Sequence, residues 1–160
     1  MLFSASVCLG GVLAVAHPLD NWQRRIPPPT LESLNAIGFG GGQFVAVGSS
    51  GEVLASRDGT NWARRDSGVT ENLVGITFGN DLFVAIGRAP ALSSSDGQTW
   101  KTNLVSGSFD PMYGLNSIVF LNGVFVAEAG GCFPKHCQGA LIGSRDVEFA
   151  VLAAEKAEVR

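Results

Sequence analysis

The chain has 160 residues, of which 46% are apolar and 16% are charged, and its formal net charge at pH 7 is −3. A chain with this much apolar side chain and this little charge folds rather than remaining disordered. No nucleic-acid partner is expected, because that role requires a basic face. The 21 glycines favour an all-β fold with many tight turns.

Residues 2–16 have the features of a secretory signal peptide. They carry no charge and end in Ala14-Val15-Ala16, a cleavage pattern of small residues. The segment is too short to cross a bilayer as a helix, which takes about 20 apolar residues. A buried first strand is the alternative, since no lysine or arginine directly follows Met1. We expect a signal peptide over 1–16, and therefore a secreted or periplasmic protein with no membrane span in the mature chain.

Residues 17–33 are expected to form a leading outer strand and a proline-rich linker. Residues 20–25 have the sequence Asp-Asn-Trp-Gln-Arg-Arg, and residues 60–65 have the similar sequence Thr-Asn-Trp-Ala-Arg-Arg. The prolines over 26–30 cannot donate to a strand ladder and suit a stiff connection.

Three similar units follow, beginning at Leu34, Leu73 and Leu115, which are 39 and 42 residues apart. Each unit divides into four short strands, and the first two are joined by a two-residue turn: Gly41-Gly42, Asn80-Asp81 or Asn122-Gly123. Strands and turns repeated at this period predict β-propeller blades. The predicted fold is all-β, a propeller-like array of about three four-stranded antiparallel blades at 34–72, 73–114 and 115–150, with a degraded tail at 151–160.

One turn motif, Ser-x-Asp-Gly-x-x-Trp, occurs twice. Its residues are Ser56, Asp58, Gly59 and Trp62 in the first unit, and Ser94, Asp96, Gly97 and Trp100 in the second. The aspartate can hydrogen-bond backbone amides of the turn, the glycine supplies a backbone conformation closed to other residues, and the tryptophan buries a large area. These residues are predicted to be structural. The third unit keeps Asp146 but has Ala150 in place of the tryptophan.

This motif resembles the Asp-box, or BNR, repeat. The whole unit is similar to those of secreted Asp-box propellers related to the photosystem II stability/assembly factor, over about residues 20–146. The resemblance implies a propeller fold in which the boxes are structural and lie away from the binding face.

Sialidases also carry Asp-boxes, and Arg25-Ile26-Pro27 resembles their Arg-Ile-Pro motif. A sialidase resemblance would further require two more arginines, a Tyr/Glu nucleophile pair and an acid/base aspartate. The chain has one tyrosine, Tyr113, without an obvious glutamate partner, and three units instead of six. We expect a non-enzymatic protein without cofactor or metal.

The loops that depart from the repeat template are the candidate binding sites, because repeats place insertions on one face. These loops span 68–72, 88–90, 107–114 and 131–138. The residues singled out in them are Arg88, Phe109, Asp110, Met112, Tyr113, Lys135 and His136.

Of the three cysteines, Cys8 lies in the expected signal peptide, so the mature chain would keep two, Cys132 and Cys137, both in the last of these loops. An even number of cysteines in an exported chain favours a disulfide. A metal site with His136 is the alternative, but it lacks a credible fourth ligand.

The predicted function is an exported binding module for a protein or a glycan. The alternatives are a truncated sialidase-like glycosidase and a non-functional fragment of a longer propeller. Because three blades do not close a ring, the ends of the array should expose apolar residues. We therefore expect either a homodimer that completes a six-blade ring or a poorly stable, aggregating chain.

Overall fold

The computed structural model describes residues 28–88, 91–103, 105–106, 114–133, 136–144 and 149–154; over 105–106 and beyond Gly130 the description is of the backbone. Most of these residues lie in β-strands, and the others lie mainly in turns, bends and connecting segments. The helical content among them is a 3-10 turn over Ser49–Gly51. The expected signal peptide, leading strand and linker at 1–27 lie outside the described residues.

The strands form three sheets that follow one another along the chain, which confirms the predicted all-β fold. Blade 1 contains β1 (Leu34–Gly40), β2 (Gln43–Gly48), β3 (Val53–Ser56) and β4 (Ala63–Arg65); blade 2 contains β5 (Leu73–Gly79), β6 (Leu82–Gly87), β7 (Ala91–Ser94) and β8 (Lys101–Asn103). A short strand β9 (Val105–Ser106) precedes blade 3, which contains β10 (Leu115–Leu121), β11 (Val124–Phe133), β12 (His136–Ser144) and β13 (Phe149–Ala154). Each blade is an antiparallel meander.

The hairpins between the first two strands of each blade have the predicted chemistry. Both turn residues have positive φ in every case: Gly41 and Gly42, Asn80 and Asp81, Asn122 and Gly123. This is the type I′ arrangement, whose twist matches that of the flanking strands. The same turn therefore sets the same register three times, so Phe39 pairs with Phe44, Phe78 with Phe83 and Phe120 with Phe125.

The core lies between the blades. One cluster joins Val45, Val47, Val53 and Ala55 of blade 1 to residues of blade 2 that include Leu73, Ile76, Phe83 and Leu92. A second joins Val84, Ile86 and Ala91 of blade 2 to Leu115, Ile118, Phe125 and Ala127 of blade 3. We call the side of a blade that faces the next blade in sequence its trailing face, and the opposite side its leading face. The second strand of blade 2, β6, lies between two blades as predicted, whereas β2 and β11 each pack against one blade among the described residues.

Glycines let the inner strands of neighbouring blades approach closely. A Cβ at Gly40 would overlap the ring of Phe78, and a Cβ at Gly79 would overlap the ring of Phe120. Each of these phenylalanines therefore sits on the glycine that ends the first strand of the preceding blade.

The third blade departs from the predicted pattern in two places. The segment expected to be a loop at 131–138 is the tip of a long hairpin, because β11 continues to Phe133 and β12 begins at His136. The outer edge gains β9, which pairs in parallel with β13. Backbone pairing past the expected strand ends extends this sheet, an outcome that the apolar pattern at 124–128 did not predict.

Candidate functional site

The two Ser-x-Asp-Gly-x-x-Trp motifs form compact turns, which we call the aspartate turns (residues 56–62 and 94–100). In the first, Asp58 Oδ1 accepts hydrogen bonds from the backbone N–H groups of Thr60 at 2.8 Å and Asn61 at 2.7 Å. Ser56 Oγ donates to the same oxygen at 3.0 Å and accepts from Gly59 N–H at 2.9 Å. The side chains of Ser56 and Asp58 are thus both used inside the turn.

The second aspartate turn repeats this network. Asp96 Oδ1 accepts from the N–H groups of Gln98 and Thr99, both at 2.8 Å, and from Ser94 Oγ at 3.0 Å. One difference concerns the tryptophans: Trp62 Nε1 donates to Gly59 O at 3.2 Å, whereas Trp100 Nε1 is buried without an acceptor in the described part of the chain.

Hydrogen bonding to the charged form holds both aspartates ionised. The N–H of Asn61, then that of Thr60, keeps the pKa of Asp58 well below its usual range. The N–H of Thr99, then that of Gln98, lowers the pKa of Asp96 to about 2. Carboxylates with such low pKa values are poor proton donors at neutral pH, so the turns are suited to structure and not to acid–base chemistry.

The second aspartate turn also joins blades 1 and 2. Gln43 Nε2, on β2, donates to Asp96 O at 2.7 Å. Gly97 fits against this contact, since a Cβ there would lie 2.8 Å from Gln43 Nε2 and 3.0 Å from Val45 Cγ2. A cavity of about 260 Å³ opens beside the contact; its lining includes Arg57, Asp58, Arg65 and Gln98. We call this end of the array the turn face.

The opposite end, the loop face, is built from residues 31–33, 49–52, 66–72, 88 and 114. Asn72 ties it together: its Oδ1 accepts from Ser50 N–H at 3.1 Å, and its backbone O accepts from Arg88 N–H at 3.4 Å. A cavity of about 360 Å³ lies here, lined by Ser50, Gly51, Arg64, Arg65, Asp66, Ser67 and Val69.

A buried carboxylate lies next to this cavity. Glu52 is 1% exposed, and Arg64 Nη2 is 2.8 Å from its Oε2. This is a charge contact, since neither oxygen accepts a well-aligned hydrogen bond within the described residues. The Arg64 side chain is 70% exposed, so one end of the ion pair is buried and the other faces solvent.

Of the binding residues predicted from the loops, the structure places Arg88, which is exposed on the loop face. Phe109, Asp110, Met112, Tyr113 and Lys135 lie outside the described residues. His136 begins β12 and is not in a loop. Cys132 and Cys137 are directly opposite in the β11–β12 register.

Glu52, Arg65 and Asn72 were not among the site residues predicted from the sequence. Glu52 could have been found by aligning the repeats, because the matching positions hold Pro90 and Ala140. Arg65 and Asn72 have no such signal, since their roles depend on the way the loops meet.

Two absences hold for the residues that the structure describes. None of their helices has the length and apolar character needed to cross a membrane. No three of their His, Cys, Asp or Glu side chains come together as a metal site.

Comparison with known proteins identifies the fold. No family model matches the chain, and no curated protein matches it. Among solved structures it is similar to "YCF48 bound to D1 peptide", with a TM-score of 0.58 and 20% identity, over 78% of this chain and 42% of that one. A Bombyx mori GH32 beta-fructofuranosidase in complex with sucrose has a TM-score of 0.47 and 13% identity, over 76% of this chain and 34% of that one.

The chain therefore spans less than half of the length of either solved structure. At 20% identity the first likeness shows the fold alone. Together with the three successive meanders, it shows that this chain is an all-β, propeller-like array of blades.

Proposed function

We propose that the chain is an exported, non-enzymatic propeller module that binds a polypeptide segment of another protein through its loop face. The observation that carries the proposal is the cavity of about 360 Å³ between residues 50–51 and 64–69 of blade 1. Concave sites with a few converging polar groups are the usual places for ligands.

The chemistry of this cavity suits a peptide. Arg64 and Arg65 supply N–H donors, Asp66 supplies a carboxylate, and the hydroxyl oxygen of Ser50, whose hydrogen is donated to Glu32, can accept. A peptide backbone presents both donors and acceptors, so it can satisfy this mixed lining. The hydroxyls of a glycan are the second ligand class with that property.

The turn face is the less suitable end. The carboxylates of Asp58 and Asp96 already accept hydrogen bonds from their own turns. A ligand there would have to compete with two backbone donors at each aspartate, which costs more than displacing water.

The solved complex of YCF48 with a D1 peptide gives further support for a protein partner. Peptide binding is a property of that protein, and its structure is more than twice the length that this chain covers. For this chain, peptide recognition is a proposal that rests on the loop-face cavity.

Export is part of the same proposal and rests on the uncharged segment at 2–16 and its Ala14-Val15-Ala16 end. Mass spectrometry of the exported protein should find His17 as the first residue. Retention of Met1 in the mature protein would contradict export by this route.

The function is tested by screening the purified chain against a peptide library and a glycan array, with three matched variants. Asp66→Asn removes the cavity's negative charge while leaving an oxygen for the N–H of Gly68, which Asp66 Oδ1 accepts at 2.9 Å. Arg88→Gln removes a charge from the loop face, and Arg57→Gln removes one from the turn face.

We expect peptide binding that Asp66→Asn or Arg88→Gln weakens about tenfold, the effect of losing one charged contact, and that Arg57→Gln leaves unchanged. Binding to glycans and not to peptides would mean that the ligand of the loop face is a glycan, which would overturn the proposed peptide ligand. Turnover of sialosides, or loss of binding in the Arg57 variant alone, would overturn the proposal.

A further inference from the structure

The two contacts between inner strands follow one rule: a phenylalanine on the later blade sits over a glycine on the earlier one. Phe78 covers Gly40, and Phe120 covers Gly79, with no room for a Cβ at either glycine. The isoleucine two residues before each phenylalanine is buried in the same contact, Ile76 at 8% and Ile118 at 9% exposure.

Blade 1 presents the same phenylalanine and isoleucine, and no other blade covers them among the residues that the structure describes. Phe39 and Ile37 are each 60% exposed, although they are the repeat equivalents of residues that are covered in blades 2 and 3. The register of β1 on β2 is the same as in the other blades, so the strand is already in the geometry that the covered strands have. We call Ile37 and Phe39 the knob.

We call a glycine that leaves space for such a phenylalanine ring a socket. Blade 3 lacks one. The position equivalent to Gly40 and Gly79 holds Leu121, whose side chain is 67% exposed. Since even a Cβ at the glycine positions overlaps the phenylalanine ring, a leucine there excludes a phenylalanine that approaches in the same way.

Glu128, a second residue on the trailing face of blade 3, also excludes a further blade, in this case because of its charge. Val47 and Ile86, at equivalent positions of blades 1 and 2, are 0% exposed between blades. Blade 3 has Glu128, which is exposed. Covering it with an apolar blade would bury a carboxylate without a partner, which is strongly unfavourable.

We propose that Leu121 and Glu128 close the trailing face of blade 3 to any further blade, and that the knob of blade 1 is an interaction surface. Its occupant is a β-strand of another polypeptide segment that carries glycine opposite Phe39. A second copy of this chain does not supply that strand, because its matching position is Leu121. Two copies therefore do not close head to tail into the six-blade ring expected from the repeat number.

The occupant's chemistry follows from the two existing contacts. They are side-by-side packings of inner strands in which the glycine is the sole residue type that leaves space for the ring. Alanine at the same place would fill the space for the ring. The partner strand therefore needs glycine at this position, and another small residue is not sufficient.

The test opens the socket and measures binding in trans. The acceptor is the full chain with Leu121→Gly, Glu128→Val and Phe39→Ala, which has a socket and no knob. The donor is the unaltered chain, which has a knob and no socket. Phe39→Ala in the donor and Leu121→Ala in place of Leu121→Gly in the acceptor are the matched controls, and circular dichroism checks each fold.

We expect the donor to bind the acceptor in sedimentation velocity, and either control to weaken binding about tenfold or more, as expected from the loss of one buried phenylalanine contact. The unaltered chain should not self-associate through Phe39. Self-association that Phe39→Ala removes, equal binding by the alanine acceptor, or no binding by a folded acceptor would each overturn the proposal. Should Glu128→Val impair folding, Glu128→Ala takes its place in the acceptor, because it also removes the carboxylate from the trailing face and leaves the comparison of Leu121→Gly with Leu121→Ala unchanged.

Discussion

At the scale of single residues, each aspartate turn depends on the charge of one carboxylate. Asp58 and Asp96 accept backbone N–H groups that point into the turn and have no other acceptor among the described residues. An ionised oxygen accepts such bonds more strongly than a neutral one.

Because the carboxylate must be ionised, the stability of the folded chain should fall as the pH is lowered. The pKa of Asp96 is about 2 in the folded chain and 3.8 without these bonds, so its contribution to stability is present above about pH 4. It is lost as the pH falls from about 4 to about 2. Thermal unfolding of the unaltered chain across this range should show a drop in midpoint that Asp96→Asn reduces.

Gln98→Ala is the matched control for that experiment, because it keeps the backbone N–H that Asp96 accepts. Its acid profile should follow that of the unaltered chain. Equal acid profiles in the Asp96 variant and the unaltered chain would show that the carboxylate does not stabilise the turn.

Alanine substitutions at the two turn glycines allow the energetic cost of backbone strain to be measured separately from the cost of packing. Gly59 and Gly97 have nearly the same φ, 67° and 64°. A Cβ at Gly59 would meet Phe44 at an ordinary 3.7 Å, whereas one at Gly97 would displace Gln43. Alanine at Gly59 should cost about 1–2 kcal/mol of unfolding free energy, from the left-handed backbone alone.

Alanine at Gly97 should cost about 1–3 kcal/mol more, because it adds overpacking and disturbs the bond from Gln43 to Asp96 O. Urea unfolding of the two variants measures the difference. Equal losses would mean that the second aspartate turn is not held against blade 1.

At the scale of strands, Gly40 is the point at which the first strand of blade 1 accommodates the Phe78 ring of blade 2. Gly40→Ala should destabilise the chain by about 1–3 kcal/mol or more, because the Phe78 ring must move. Gly38, two residues earlier on the same strand, is the control: a Cβ there would lie 3.5 Å from Ile76, an ordinary contact.

Gly38→Ala should therefore be close to neutral, or slightly stabilising because alanine restricts the unfolded chain. Chemical denaturation distinguishes the two variants. Similar losses at both positions would contradict the glycine socket and indicate a general intolerance of side chains on β1.

The β11–β12 hairpin gives the cysteine prediction a structural basis. Residues directly opposite in an antiparallel pair have Cα atoms about 4.5–5.5 Å apart, within the range that a disulfide spans. Cys132 and Cys137 occupy such a pair. In the oxidised protein, a thiol reagent should label neither cysteine until a reductant is added; full labelling without reductant would contradict the bond.

At the scale of the whole molecule, the position of a blade in the array decides how much each repeated residue contributes. Phe44 and Phe83 are equivalent residues of β2 and β6. Phe83 is 0% exposed between two blades, whereas Phe44 is partly buried and contacts the rings of Phe39 and Trp62.

Phe83→Ala should cost about 3–5 kcal/mol, the range for a fully buried phenylalanine, and Phe44→Ala should cost clearly less. In a repeat array each unit is stabilised by its neighbours, so the central blade should be the most sensitive. Denaturation of both variants tests this, and equal losses would mean that the leading face of blade 1 is as well packed as the centre.

Much of the architecture could be predicted from local sequence. The hairpin turns and the apolar second strands, which all three units repeat, depend on residues close to one another in the chain, and so do the aspartate turns of the first two units. Much less of the candidate site could be predicted. Asn72 joins Ser50 to Arg88 across three segments, and no pattern within one segment indicates such a meeting.

The sequence by itself determined the period, the turns and the order of the strands, because these follow from backbone preferences and from residues close in the chain. The tertiary structure alone decided which faces are covered. Ile37 and Ile76 occupy equivalent positions of the repeat, yet one is 60% exposed and the other 8%. The difference arises because burial depends on the neighbouring blade: a glycine socket receives Phe78 and Phe120, Phe39 has none within the described chain, and Leu121 offers none.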